Sequence, residues 1–151
     1  MLCLHKPTLD ELWFRQELLS DPDTMSYNNA WGGIISFPKD KWRDWYDDWL
    51  AGNGNKRFYR YLLNTESNQF VGEVAYHFDD SRSIYICNII VYAKYRSNGY
   101  GTEGLSLLCK AAKENGIDDI AANNPSVQLF LNNGFTVDFQ TEDVIMVKKV
   151  L

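Results

Sequence analysis

Between positions 58 and 92 the chain carries three strand-type runs, separated by turns too short for anything but antiparallel pairing. Residues 58–63 read as the first run, 69–78 as the second and 84–92 as the third, with turns at 64–68 and 79–82. A parallel connection needs a crossover of about a dozen residues or more, so the three form a meander. Alternation in the second run places Val71, Glu73, Ala75 and His77 on one face, and Val74, Tyr76 and Phe78 on the other. The third run is the most apolar in the chain and is predicted to lie centrally.

Residues 2–5 read as a first strand. Thr8 and Glu11 fit a capping box that opens a helix ending near Ser20, ahead of Asp21-Pro22. Residues 26–33 read as a loop. Pro38 suits the first turn of a second helix, and Trp42, Trp45, Tyr46, Trp49 and Leu50 share one face of it. That face is most simply core, and Gly52-Asn53-Gly54-Asn55 ends the helix.

The chain has 151 residues, so one domain over 1–151 is expected, large enough for a real core. A net charge of −5, with no basic stripe, argues against a nucleic-acid partner. No apolar run approaches the roughly 20 residues that span a bilayer, so no membrane association is expected. Residues 1–7 lack the order of a signal peptide, which predicts a cytoplasmic protein. Cys3, Cys87 and Cys109 are odd in number and show no CxxC spacing. With two histidines in the chain, neither a disulfide framework nor a metal site is expected.

The chemistry concentrates after the third meander strand, in Arg96-Ser97-Asn98-Gly99-Tyr100-Gly101-Thr102. A buried strand ends there, two glycines follow, and a helix begins with Leu105, Leu108, Cys109 and Ala112 on its apolar face. Glycines let the backbone approach a ligand, and a helix N-terminus favours an anion such as a diphosphate. Arg96 would add a positive charge at the rim. Gly99-x-Gly101-x-x-Gly104 also matches a dinucleotide fingerprint. That reading needs several βαβ units, and too little chain follows Asp119 to build them.

Arg96 to Gly101 resembles the R/Q-x-x-G-x-G/A loop of the GCN5-related N-acetyltransferases, the GNAT superfamily. Residues 123–135, which include Asn123, Ser126, Leu129, Phe130, Gly134 and Phe135, look like that family's second signature, N-x-x-A/S-x-x-L-Y-x-x-x-G-F. The order of elements matches as well, with a strand at 117–122 and closing strands at 135–139 and 144–149. The resemblance implies an α/β (α+β) fold: a mixed, mostly antiparallel twisted sheet of about six or seven strands, flanked by about four helices.

It also implies an acetyl-CoA-dependent N-acetyltransferase acting on an amine of a small molecule or peptide, with a homodimer possible. The main chain of Ile89, Ile90 and Val91 would pair with the pantetheine arm. The amides of Ser97, Asn98, Gly99, Tyr100, Gly101 and Thr102 would cradle the diphosphate, beside Arg96. Asn123, Ser126 and Phe130 would complete the cofactor contacts, although plain helix capping also accounts for Asn123 and Ser126. An amide of Ile89 or Ile90 would stabilise the oxyanion. Glu73 is the candidate base, its pKa raised if buried alone, and Asn88 would hold a relaying water. A salt-bridged or solvent-facing strand residue is the alternative for Glu73. Tyr27 and Trp31 are candidates to line the acceptor pocket, and Asp44, Asp47 and Asp48 suggest a cationic acceptor. Phe130 stands where the family carries a tyrosine acid, so a catalytically inactive CoA-binding module is the competing reading.

Overall fold

The computed structural model describes residues 1–51, 56–123 and 127–151. Strands β1 (Leu2–His5), β2 (Arg57–Asn64), β3 (Gln69–Asp79) and β4 (Ile84–Val91) pair antiparallel in chain order, so the meander forms as read. β5 (Asp119–Ala122) joins β4 in parallel. β6 (Thr136–Gln140) and β7 (Ile145–Val150) close the sheet in the order β1-β2-β3-β4-β5-β7-β6. This is the mixed, mostly antiparallel sheet that the resemblance implies. Its α-helices among the described residues are α1 (Trp13–Ser20), α2 (Trp42–Trp49), α3 (Tyr100–Glu114) and α4 (Val127–Asn132).

Strand alternation divides the core between the two faces of the sheet. On one face Leu62, Val74, Tyr76 and Ile89 pack with Leu105 and Leu108 of α3 and Phe130 of α4. On the other, Tyr59, Tyr61 and Ile90 pack with Phe14 and Leu18 of α1 and Trp42 of α2. Gly104 allows α3 to settle on the sheet, because a Cβ there would stand 2.7 Å from Leu62 Cδ1.

Several local readings are corrected. Both early helices begin with a 3-10 turn, Leu9–Leu12 ahead of α1 and Lys39–Lys41 ahead of α2, so Pro38 precedes the helix instead of opening it. Glu11 Oε1 accepts the Thr8 N–H at 3.0 Å, as its capping role requires. The expected loop at 26–33 is largely a 3-10 helix, Thr24–Trp31. Register shifts between Leu62 and Leu63, which leaves Val71 without an opposite residue. This bulge turns Val71 into the core with Val74, away from the face of Glu73.

The site depends on one interruption in the sheet. Ile86 opposite Ala121 is the single register pair between β4 and β5 among the described residues. Beyond it the strands diverge, and among the described residues the C-terminal half of β4 pairs only with β3. The Tyr92 N–H donates to the Val71 carbonyl across β3 at 2.8 Å. Alternation from that bond turns the main-chain groups of Ile89 and Val91 toward the open gap, and those of Asn88 and Ile90 toward β3.

Candidate functional site

A cleft of about 450 Å³ opens where β4 and β5 part. Ile89, Ile90 and Val91 form one wall, and Arg96, Ser97, Gly99, Tyr100 and Gly101 form the end at the start of α3. The structure therefore brings nine of the sequence candidates into one cavity, these eight and Tyr27. Ser97 and Gly99 both adopt positive φ, 69° and 77°. Glu103 N–H to Gly99 O, at 3.1 Å, is the helix's first backbone bond, so the amides ahead of it have no helix partner. Gly101 keeps α4 close, since a Cβ there would sit 3.3 Å from Leu129 Cδ2.

Other candidates fall elsewhere. Asn98 turns back on its own loop, donating through Nδ2 to the carbonyls of Tyr95 and Arg96 at 2.8 and 3.3 Å. Thr102 is exposed, outside the residues that line the cleft. Phe130 is wholly buried and meets Phe135 edge-on at 5.2 Å, so it belongs to the core, and its neighbour Leu129 lines the cleft instead. Ser126 and the Trp31 side chain lie outside what the structure describes.

Arg96 is more than a rim charge. Its Nη2 donates to the Thr24 carbonyl at 2.9 Å and its Nη1 to the Asp23 carbonyl at 3.3 Å. Thr24 Oγ1 in turn accepts the Ala93 N–H at 2.9 Å. Together these bonds strap the 3-10 helix carrying Tyr27 to the glycine loop.

A second cavity, of about 300 Å³, lies on the α1–α2 side of the sheet. Glu73, Asn88, His77 and Asn123 line it, and Tyr27 and Ile90 line both cavities. Glu73 is 3% exposed and is not alone. Arg15 Nη1 donates to both its carboxylate oxygens, at 2.9 and 2.7 Å. Burial opposes the guanidinium's charge, but Glu73, Tyr59 and Tyr61 together outweigh it, and the pKa of Arg15 rises above the ordinary arginine value. The guanidinium also lies 4.3 Å from the centre of the Trp45 ring. Burial lowers the pKa of His77, which favours its neutral form.

Sequence periodicity put Trp45 and Trp49 on the core face, yet both are half-buried and line this cavity with Tyr59 and Ile35. Arg15 was missed because a lone cation near the start of a helix gives no sequence signal of its own. Asp44, Asp47 and Asp48 are exposed and line neither cavity, so they supply no acidic lining.

A model of the acetyltransferase (GNAT) family matches residues 15–135. Compared by sequence with curated proteins, the chain matches none. Among solved structures it is similar to an acetyltransferase (GNAT family) from Bacillus anthracis, at 19% identity and a TM-score of 0.71, covering 97% of this chain and 92% of that one. It is similar as well to the PaiA N-acetyltransferase of Thermoplasma acidophilum in complex with coenzyme A, at 11% identity and a TM-score of 0.70, covering 100% and 99% of the two chains. A third likeness is to spermidine N-acetyltransferase from Vibrio cholerae in complex with CoA and spermine, at 14% identity and a TM-score of 0.72, covering 97% and 92%.

Proposed function

Since this chain belongs to the acetyltransferase (GNAT) family, we propose that it transfers an acetyl group from acetyl-CoA to the primary amine of a small molecule or peptide. One observation carries this reading: the open edge of β4 and the glycine loop before α3 line the same cleft. The free main-chain groups of Ile89 and Val91 suit the amides of a pantetheine arm. The unpaired amides at the start of α3 suit a diphosphate. Coenzyme A, when bound, supplies the activated acyl group as a thioester.

The chain's residues then have separate tasks. Of the two oxyanion candidates, Ile89 has the amide that faces the gap, so it is the donor proposed here. The attacking amine must be neutral. Glu73 accepts its proton, directly or through a water held at Asn88, while Arg15 keeps the carboxylate in place. Asn123 stands at the cavity wall, where it can fix the pantetheine end or the acceptor.

The acceptor cavity favours an amine on an apolar body over a polycation. Its buried carboxylate is already balanced by Arg15, and Trp45, Trp49, Tyr59 and Ile35 make up much of the wall. The competing reading, a CoA-binding module without turnover, draws on Phe130, which has no hydroxyl and is sealed in the core. Calorimetry with coenzyme A, followed by a free-thiol assay with acetyl-CoA and an amine panel, separates the two. Heat of binding plus thiol release supports the enzyme. Binding without turnover on any amine supports the module, and no binding by folded protein overturns both.

A further inference from the structure

Transfer leaves a proton to be moved. When the amine nitrogen bonds to the acyl carbon it carries a surplus proton, and the departing sulfur needs one. With Phe130 buried and lacking a hydroxyl, the relay must come from elsewhere. Of the described residues, Tyr27 and Ile90 alone line both cavities, and Tyr27 alone of the two has an exchangeable side-chain proton. Tyr59 is the other hydroxyl on the acceptor side, but it is 1% exposed and absent from the cleft lining.

We propose that Tyr27 is the proton relay of the reaction, its hydroxyl bridging the acceptor amine in one cavity and the thioester sulfur in the other. This rests on the acetyltransferase reading above. As the N–C bond forms and the C–S bond breaks, Tyr27 Oη gives its proton to sulfur and takes the one released by nitrogen. The amine becomes an amide, the thiolate a thiol, and the phenol is restored. Because the phenol returns to its starting state, its acidity need not match that of either partner.

The surroundings fit this role. Arg15 from α1, Glu73 from β3 and Arg96 from the glycine loop all act electrostatically on the Tyr27 hydroxyl. Burial raises its pKa, so the phenol keeps its proton at neutral pH and acts as a donor. The Arg96 strap holds the helix that carries it, and Tyr27 stays registered against the loop that receives the diphosphate.

The test compares Tyr27→Phe, which keeps the ring and removes only the hydroxyl, with the parent protein. Coenzyme A affinity by calorimetry is expected to agree within about threefold, which also shows that the variant is folded. The thiol of bound coenzyme A is then titrated by its thiolate absorbance. A phenol donating to the sulfur favours the thiolate, so the variant's bound thiol is expected to be about tenfold less acidic. Its kcat with the best amine is expected to fall about 100-fold. Identical thiol titrations overturn the relay and leave the acetyltransferase reading standing, even where kcat falls, since a lost packing contact can lower kcat alone. Failure of the parent to bind coenzyme A overturns both.

Discussion

Arg15 Nη1, on α1, reaches across to β3 and donates to both carboxylate oxygens of Glu73. This ion pair lines the second cavity and joins the first helix to the meander. Removing the cation alone strands a buried negative charge, a change that costs about 3–5 kcal/mol in comparable sites. Arg15→Met is expected to lose that much stability in urea unfolding. Arg15→Met combined with Glu73→Gln should recover most of it, because the double variant has no stranded charge.

Glu73→Gln alone tests the base. The expected kcat is about 100-fold lower at pH 7. The deficit should narrow as pH rises toward the amine's own pKa, about 10.4 for a lysine-like amine, because the neutral nucleophile then forms without help. A deficit that stays constant with pH would assign Glu73 to cavity shape only. Steady-state kinetics between pH 6 and 10 provide the check.

With the second cavity proposed as the acceptor site, its lining predicts a preference among amines. A monoamine on an apolar chain or ring is expected to exceed spermidine in kcat/KM by tenfold or more, a difference of about 1.4 kcal/mol. Trp49→Ala should raise KM for the apolar amine and leave coenzyme A affinity unchanged, since Trp49 lines the second cavity and not the cleft. Spermidine as the better substrate would refute the charge argument.

Phe130→Tyr restores the family's residue type but is not expected to restore an acid. The ring is fully buried against Phe135, so the added hydroxyl enters the core. An unpartnered buried hydroxyl costs about 1–3 kcal/mol, and kcat should not rise. Thermal unfolding and turnover measured on one preparation decide the matter.

Gly72 is required by the approach of neighbouring strands. A Cβ there would stand 2.3 Å from the Ile90 carbonyl oxygen, which is backbone and has nowhere to move. Gly72→Ala is expected to cost about 1–3 kcal/mol and to weaken coenzyme A binding as β4 shifts. Calorimetry on the folded fraction reads the second effect.

The meander, the central strand and the glycine loop were legible because each has a strong local cause. Short turns force antiparallel pairing, and a glycine pair before a helical stripe marks a close approach. What sequence could not supply is which side of an element faces a cavity. Trp45 and Trp49 show the same period whether sealed in or half-open. Val71 keeps its alternation in sequence and loses it in space through one bulge. Arg15 and Glu73 are 58 positions apart, and nothing local announces that they meet. Phe130 fell on a motif position, which gives its neighbours in sequence but not its depth in the core.

Ile86 opposite Ala121 fastens two half-sheets together. Strands β1 to β4 form one half and β5 to β7 the other, and among the described residues this pair alone spans the seam. A ligand arm threaded through the gap would act as the missing rung, stitching the halves into one mechanical body. Saturation with coenzyme A should therefore slow amide exchange in β5 and β7 as well as at the residues it touches.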